Sequence, residues 1–230
     1  MLEIYQASTE NLRELKKQYK TILRILNQSL KNKRHAEIQA LTKVFALMYS
    51  AYAEVAFLKT IHTPYGFNEQ IILDIQSKKY LEAKWLKCIE VAFINLNSIN
   101  NAGEIANKKQ KLTQLLNDYV IKPSQIRNKI AHGQWCKALN SDSTAINIET
   151  TNNVNCLDFV EIDKLFQLYT KYCQIIEDLI ESPRKAHYRF FYSSLVEMEL
   201  YINKTNMWTI DSKKICLSRN AVDNVLLPII

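Results

Sequence analysis

Arg127 and His132 stand five residues apart in the stretch Arg127-Asn128-Lys129-Ile130-Ala131-His132-Gly133, and these two residue types suit RNA cleavage without a metal. An imidazole that ordinarily titrates near pH 6.5 can take the proton of a ribose 2′-hydroxyl or deliver one to a departing 5′-oxygen. A guanidinium offers a planar, permanently charged fork of donors to a phosphate as negative charge builds in the transition state. Asn128 can fix the imidazole tautomer or hold a phosphate oxygen. Among seven Arg and four His in 230 residues, no other Arg has a His five to seven positions downstream.

The pair needs a helix to position it. Ser124 reads as the cap that starts a short motif helix and Gly133 as the residue that stops it. Five helical residues turn through about 500°, so Arg127 and His132 project about 140° apart, while Asn128 and His132 share a face. Ile126 and Ile130 are then the core-facing pair. This layout predicts His132 and Asn128 on the rim of a groove, with the long Arg127 side chain curling in from the flank. The alternative is structural: Arg127 as a surface ion-pair partner and His132 as a helix-terminal residue favoured there by the helix dipole.

The stretch from Ile126 to Trp135 resembles the signature of the HEPN superfamily, all-helical domains whose motif is Arg, usually a polar residue, a short spacer, then His. Asn128 fills the polar position. The resemblance implies a ribonuclease that dimerises so that two Arg and two His line one shared cleft, with Arg127 and His132 catalytic and Asn128 supporting them. Lys129, Gln134, Trp135 and Glu54 are the expected supporting or RNA-contacting residues, and products would carry 2′,3′-cyclic phosphate and 5′-hydroxyl ends. HEPN toxins neutralised by nucleotide transfer carry a Tyr two residues after the His; Gln134 stands there, which argues against that mode of control.

The elements around the motif follow from apolar spacing. Leu12, Leu15, Tyr19, Ile22, Leu23, Leu26 and Leu30 predict an amphipathic helix over 9–31, and Ile38 through Phe57 predict a longer one over 35–61, apolar enough for the centre of a bundle. Asn68 caps a third helix expected to run to residue 98, and a fourth spans 104–119 until Pro123 breaks the ladder. The glycines Gly66, Gly103 and Gly133 all fall at expected breaks. Residues 145–149 alternate apolar and polar side chains, predicting a small hairpin or ordered loop over the motif. Helices over 157–180 and 184–201 follow, divided by Pro183, and the tail 208–230 mixes β-like runs with the apolar end Val225-Leu226-Leu227-Pro228-Ile229-Ile230.

The expectation is an all-α, HEPN-like helical bundle over 1–182, with its core at 35–181, and a C-terminal extension over 183–230 packed on the same domain. A charge of +7 and pI near 9.0 favour an acidic partner, RNA first. The basic runs 31–35, 108–111 and 184–189 read as solvated helix ends. Five scattered cysteines with no Cys-x-x-Cys pair, no signal peptide, and apolar stretches interrupted by Lys, Glu or Asn predict a cytoplasmic protein without a membrane span.

Other chemistries fit less well. His132 with Cys136, Cys156 and Cys173 matches no common zinc spacing, and neither a phosphate-cradling Gly loop nor a Ser-hydrolase elbow is present, so no cofactor is expected. Tyr5, Tyr19, Tyr49 and Tyr52 have helical spacing typical of core, although such rings can stack on bases. Glu54 reads either as a solvent-facing acid or as a buried partner of Arg127. The expected function is a metal-independent endoribonuclease of toxin or antiviral-defence type, acting as a homodimer and restrained by an antitoxin or regulatory protein. Two rivals are a non-catalytic HEPN-like module that binds RNA, a nucleotide or a protein, and a helical scaffold that buries its apolar C-terminus in another chain.

Overall fold

Leu12, Tyr19, Leu26 and Leu30 are buried on one side of α1 (Leu2–Lys31), and that stripe lies against α2 (His35–Ile61). The three-residue link between them carries Lys33 in the left-handed region at φ 56°, which folds the two helices back on each other. The computed structural model describes residues 2–94, 96 and 102–223, and among them the architecture is all α: ten α-helices, one π-helical turn and no strand. α2 runs over the expected span. α1 starts seven residues earlier than expected, and its first turns are held where the Lys59 ammonium sits 5.1 Å from the centre of the Tyr5 ring.

α2 is the central helix, packed against α1, against α8 (Phe159–Glu181) and against α6 (Lys122–Ala131). By length and composition alone it could cross a membrane, contrary to the expectation that every apolar stretch is interrupted too soon. More than half of its most apolar window is instead buried against these neighbours. Aromatic rings fill the centre: Phe166 stacks on Tyr19 at 4.0 Å and on Tyr52 at 4.1 Å between centroids, and Trp85 meets Tyr172 edge-on at 5.4 Å. Tyr19, Tyr49 and Tyr52 are therefore core residues and not base-stacking platforms.

The expected third helix is two, α3 (Glu69–Gln76) and α4 (Leu81–Ile94). Its cap is as expected, with Asn68 accepting the Ile71 N–H at 3.0 Å. The split follows from spacing. Ile75 and Leu81 are six residues apart, so a continuous helix would point Leu81 about 120° away from the buried face of Ile75. The polar residues 77–80 make a turn instead, with the Ser77 hydroxyl donating to the Asp74 carbonyl at 2.7 Å. Gly66 lies in the preceding loop, where a Cβ would collide with the Ile180 side chain of α8.

α5 (Ala102–Leu116) passes through a π-helical turn (Asn117–Ile121) straight into α6, so Pro123 does not break the chain. Pro123 lacks the N–H that would serve the Tyr119 carbonyl, and the Tyr49 hydroxyl donates to that oxygen at 3.2 Å instead. Ser124 is accordingly inside α6 and not its cap; its hydroxyl donates to the Ile121 carbonyl at 2.7 Å. Gly103 lies in the first turn of α5, one residue past its start.

After the motif, the alternation at 145–149 yields an ordered loop, closed by an antiparallel bridge between Leu139 and Ile146 with the Asn140 N–H on the Ala145 carbonyl at 2.9 Å and the Asn147 N–H on the Ala138 carbonyl at 2.8 Å; the Asn147 side chain then accepts the Thr150 N–H and starts α7 (Ile148–Asn155). α8 begins with Asp158 accepting the Val160 N–H at 2.6 Å. α9 (Ala186–Thr205) packs on α8, and α10 (Ile210–Asp223) packs on α1 and α8, so the tail is helical where β-like runs were expected. The apolar end at 225–230 lies outside the described residues. Two basic runs contain buried members: Lys108 pairs with Glu104 at 2.9 Å and sits 4.8 Å from the Phe191 ring centre, and His187 is 1% exposed.

Candidate functional site

Ile130 is buried and Ile126 packs at the edge of the core, which turns α6 so that Arg127 faces α2. There its Nη1 donates to the Ser50 hydroxyl and, at 2.9 Å, to Oε1 of Glu54. Ser50 and Glu54 are four residues apart on α2 and share a face. Arg127 keeps only 13% of its side chain exposed, whereas Glu54 keeps 60%. Glu54 is thus both solvent-facing and the partner of Arg127. A carboxylate so wet contributes no more than about 1 kcal/mol to such a pair, so the buried Ser50 hydroxyl is the better anchor. The other donors of the guanidinium fork have no protein partner among the described residues.

His132 is the last half-helical residue of α6. Gly133, at φ 78°, closes the helix in a Schellman arrangement, with its N–H on the Ile130 carbonyl at 3.0 Å and the Gln134 N–H on the Lys129 carbonyl at 2.9 Å. The expected stop is therefore present. The His132 N–H donates to the Asn128 carbonyl at 3.1 Å, one helical turn back, and both side chains are exposed. The His132 imidazole makes no hydrogen bond among the described residues.

The flanking residues are engaged within the protein. Lys129 Nζ donates to the Leu139 carbonyl at 2.6 Å, and the Gln134 side chain accepts the Leu139 N–H at 2.7 Å. Trp135 donates its indole N–H to the Ile130 carbonyl at 3.0 Å, and Lys43 donates to the Trp135 carbonyl while lying 5.5 Å from its ring centre. Together they clamp the loop after the motif onto α6 and α2. Cys136 and Cys156 are exposed and Cys173 is buried in α8; among the described residues no group of three or more His, Cys, Asp and Glu could hold a metal.

Arg127 lines two grooves. The first, about 590 Å³, lies between α2, the turn 77–80, α4 and α6; Glu54, Lys79, Tyr80, Lys84, Arg127 and Asn128 supply its polar wall. The second, about 540 Å³, lies between α2, α6, α7 and α8 and is walled by Tyr49, Asp118, Lys122, Glu149, Asp158 and Glu161. Burial pushes the Tyr49 phenol far above its ordinary range, so it remains a neutral donor. Burial also raises the Asp158 carboxyl, against the opposing pull of the Val160 N–H it caps. Arg127, Asn128 and Glu54 are thus brought to one groove, and His132 lines neither.

Sequence reasoning missed Ser50, Lys79, Lys84 and Tyr80. For Ser50 a signal existed, a Ser and a Glu at i, i+4 in the otherwise apolar stretch 44–58 of α2. Lys79 and Tyr80 had none, because the turn that carries them was hidden inside an expected helix. Compared with protein-family models, curated proteins and solved structures, the chain matches none, so the chemistry of these side chains is the basis for any functional reading.

Proposed function

We propose that the chain is a metal-independent endoribonuclease of the HEPN type, acting as a homodimer in the cytoplasm, of the toxin or antiviral-defence kind. The observation that carries this reading is Arg127: anchored from α2 by Ser50 and Glu54, it faces a groove with part of its donor fork free, five residues before an unengaged, exposed imidazole at the end of the same helix. Preorganised donors of this kind are what a developing phosphorane charge requires.

In the reaction, His132 takes the 2′-hydroxyl proton, O2′ attacks phosphorus, and the P–O5′ bond breaks. An imidazolium then gives a proton to O5′, leaving a 2′,3′-cyclic phosphate and a 5′-hydroxyl. Arg127 holds the phosphate oxygens and Asn128 supports the arrangement. Because His132 lies outside the groove of its own chain, a second copy is the natural way to bring an imidazole to that groove. A toxin of this kind needs restraint by an antitoxin or regulatory protein.

The test is RNA cleavage in EDTA by wild type, His132→Ala and Arg127→Ala, with product ends identified and light scattering at micromolar concentration. Cyclic phosphate ends lost in both folded variants, from a dimer, are expected. A monomer would sink the shared cleft, and absence of cleavage across varied RNAs would sink the enzyme. One observation favours a second reading, a non-catalytic RNA-binding module: His132 lines neither of the grooves that Arg127 lines. Salt-sensitive binding that survives His132→Ala, without cleavage, would select it.

A further inference from the structure

The turn 77–80 bears two kinds of group at the edge of the Arg127 groove. Lys79 and Lys84 both line the groove and have no carboxylate partner among the described residues. Their sequence neighbours are paired: Lys78 with Asp74 at 2.8 Å, and Lys87 with Asp74 and Glu90, each at 3.3 Å. The unpaired charges are therefore the ones turned to the groove. Beside them Tyr80 is 64% exposed, with the Lys79 ammonium 5.2 Å from its ring centre. Tyr65, Tyr188 and Tyr192 are exposed as well, but among the described residues only Tyr80 of these rings lines the Arg127 groove, beside two cations without a carboxylate partner.

We infer that Lys79, Tyr80 and Lys84 form a single-stranded RNA subsite, in which an unstacked base lies on Tyr80 and the flanking phosphates lie on the two ammonium groups, leading the strand to Arg127 and Asn128. Stacking on an aromatic ring serves any base, and the lysines serve any phosphate, so the subsite holds the strand without reading its sequence. A duplex cannot use it, because its bases are already stacked. An acidic peptide would engage the lysines but would have no flat group for Tyr80. The inference deepens the ribonuclease reading by naming where substrate is held, and it rests on that reading for the path toward Arg127.

The test uses a fluorescein-labelled, single-stranded 2′-O-methyl RNA, which lacks the nucleophile and so reports binding whether or not the protein cleaves. Anisotropy titrations would compare wild type with Tyr80→Ala, with the Lys79→Gln/Lys84→Gln pair, and with a Lys111→Gln/Lys171→Gln control on the far helices, where both lysines already pair with glutamates. Tyr80→Ala should weaken binding at least about fivefold. The Lys79/Lys84 pair should weaken it about tenfold and flatten the slope of log affinity against log salt by about 1.4. The control should change little, and an RNA duplex or an acidic peptide should compete poorly. Equal binding by all variants, equal competition by duplex or peptide, or no binding by wild type would overturn the inference. The two readings fail separately: groove-dependent binding without cleavage of natural RNA would remove the enzyme and keep the subsite, while cleavage in EDTA with no groove dependence would do the reverse.

Discussion

The two grooves that share Arg127 differ in sign. On the α4 side three cations, Lys79, Lys84 and Arg127, stand against one carboxylate, Glu54. On the α7 side Lys122 and Arg127 face four carboxylates, Asp118, Glu149, Asp158 and Glu161. A polyanion is attracted into the first and repelled from the second, although the same guanidinium stands in both walls. Asp118 is held by Lys122 at 2.6 Å and Asp158 is occupied with capping α8, so part of the acidic wall has structural work. The net charge of +7 is thus a poor guide to where an acidic partner binds. What decides is which charges remain unpaired at a concave surface.

The largest expected effect separates the two members of the motif. Arg127→Ala and His132→Ala should each lower cleavage by about 100-fold or more. Thermal melts should then split them: Arg127→Ala leaves the buried Ser50 hydroxyl without its partner and costs about 1–2 kcal/mol, whereas exposed His132 can be removed with no shift in melting temperature. Equal melts for both variants would mean that the α2 anchor contributes nothing.

The next effect belongs to neither groove and must be separated before either is titrated. His187 is buried beside Phe93 and Phe191 with both ring nitrogens unpartnered; burial first, and then the Lys108 ammonium, lower it to about 4. The imidazole is neutral in the fold, so its contribution is intact above pH 6.5 and is lost as pH falls toward 4, by about 3 kcal/mol at most. Urea unfolding at pH 7 and at pH 4.5 should show a smaller loss for His187→Leu than for wild type. An identical loss would refute the assignment.

Smaller again is the direct test of the sign difference. Lys84→Glu should weaken RNA binding about tenfold, and Glu149→Lys on the other side should tighten it by no more than about twofold. Comparable losses from both would erase the distinction between the grooves. The smallest effect concerns the π-helical turn that leads into α6. Tyr49→Phe removes the donor that serves the carbonyl orphaned by Pro123 and should cost about 1 kcal/mol in a denaturant melt, with binding in the α4-side groove unchanged.

Much of the helical framework was legible because its signals are local. α2 has the expected bounds, Asn68 caps α3 with its own side chain, and Gly133 takes the positive φ that ends α6. The alternation at 145–149 gave the ordered loop with a single antiparallel bridge, and the Asn147 cap stopped it short of paired strands. The failures are also physical. Thr209 and Ser212 form a reciprocal capping box, with Thr209 accepting the Ser212 N–H at 3.2 Å and Ser212 accepting the Thr209 N–H at 2.8 Å, and so start α10 where strand-like runs were expected. Pro123 looked like a break because its own N–H is missing; a hydroxyl 74 positions earlier in the chain repairs the loss, and the ladder shifts to a π turn and continues.

The candidate site divides in the same way. Its residue types, and the turn of helix that sets Asn128 over His132, follow from a dozen consecutive residues, since hydrogen-bond spacing and capping act over one or two turns. The Ser50 and Glu54 anchor of Arg127, the diversion of Lys129, Gln134 and Trp135 into the loop clamp, and the opposite signs of the two grooves were decided only when α2, α4, α6 and α8 packed. Whether a charge finds a partner or water depends on which distant helix the core brings beside it, and sequence spacing carries no measure of that distance.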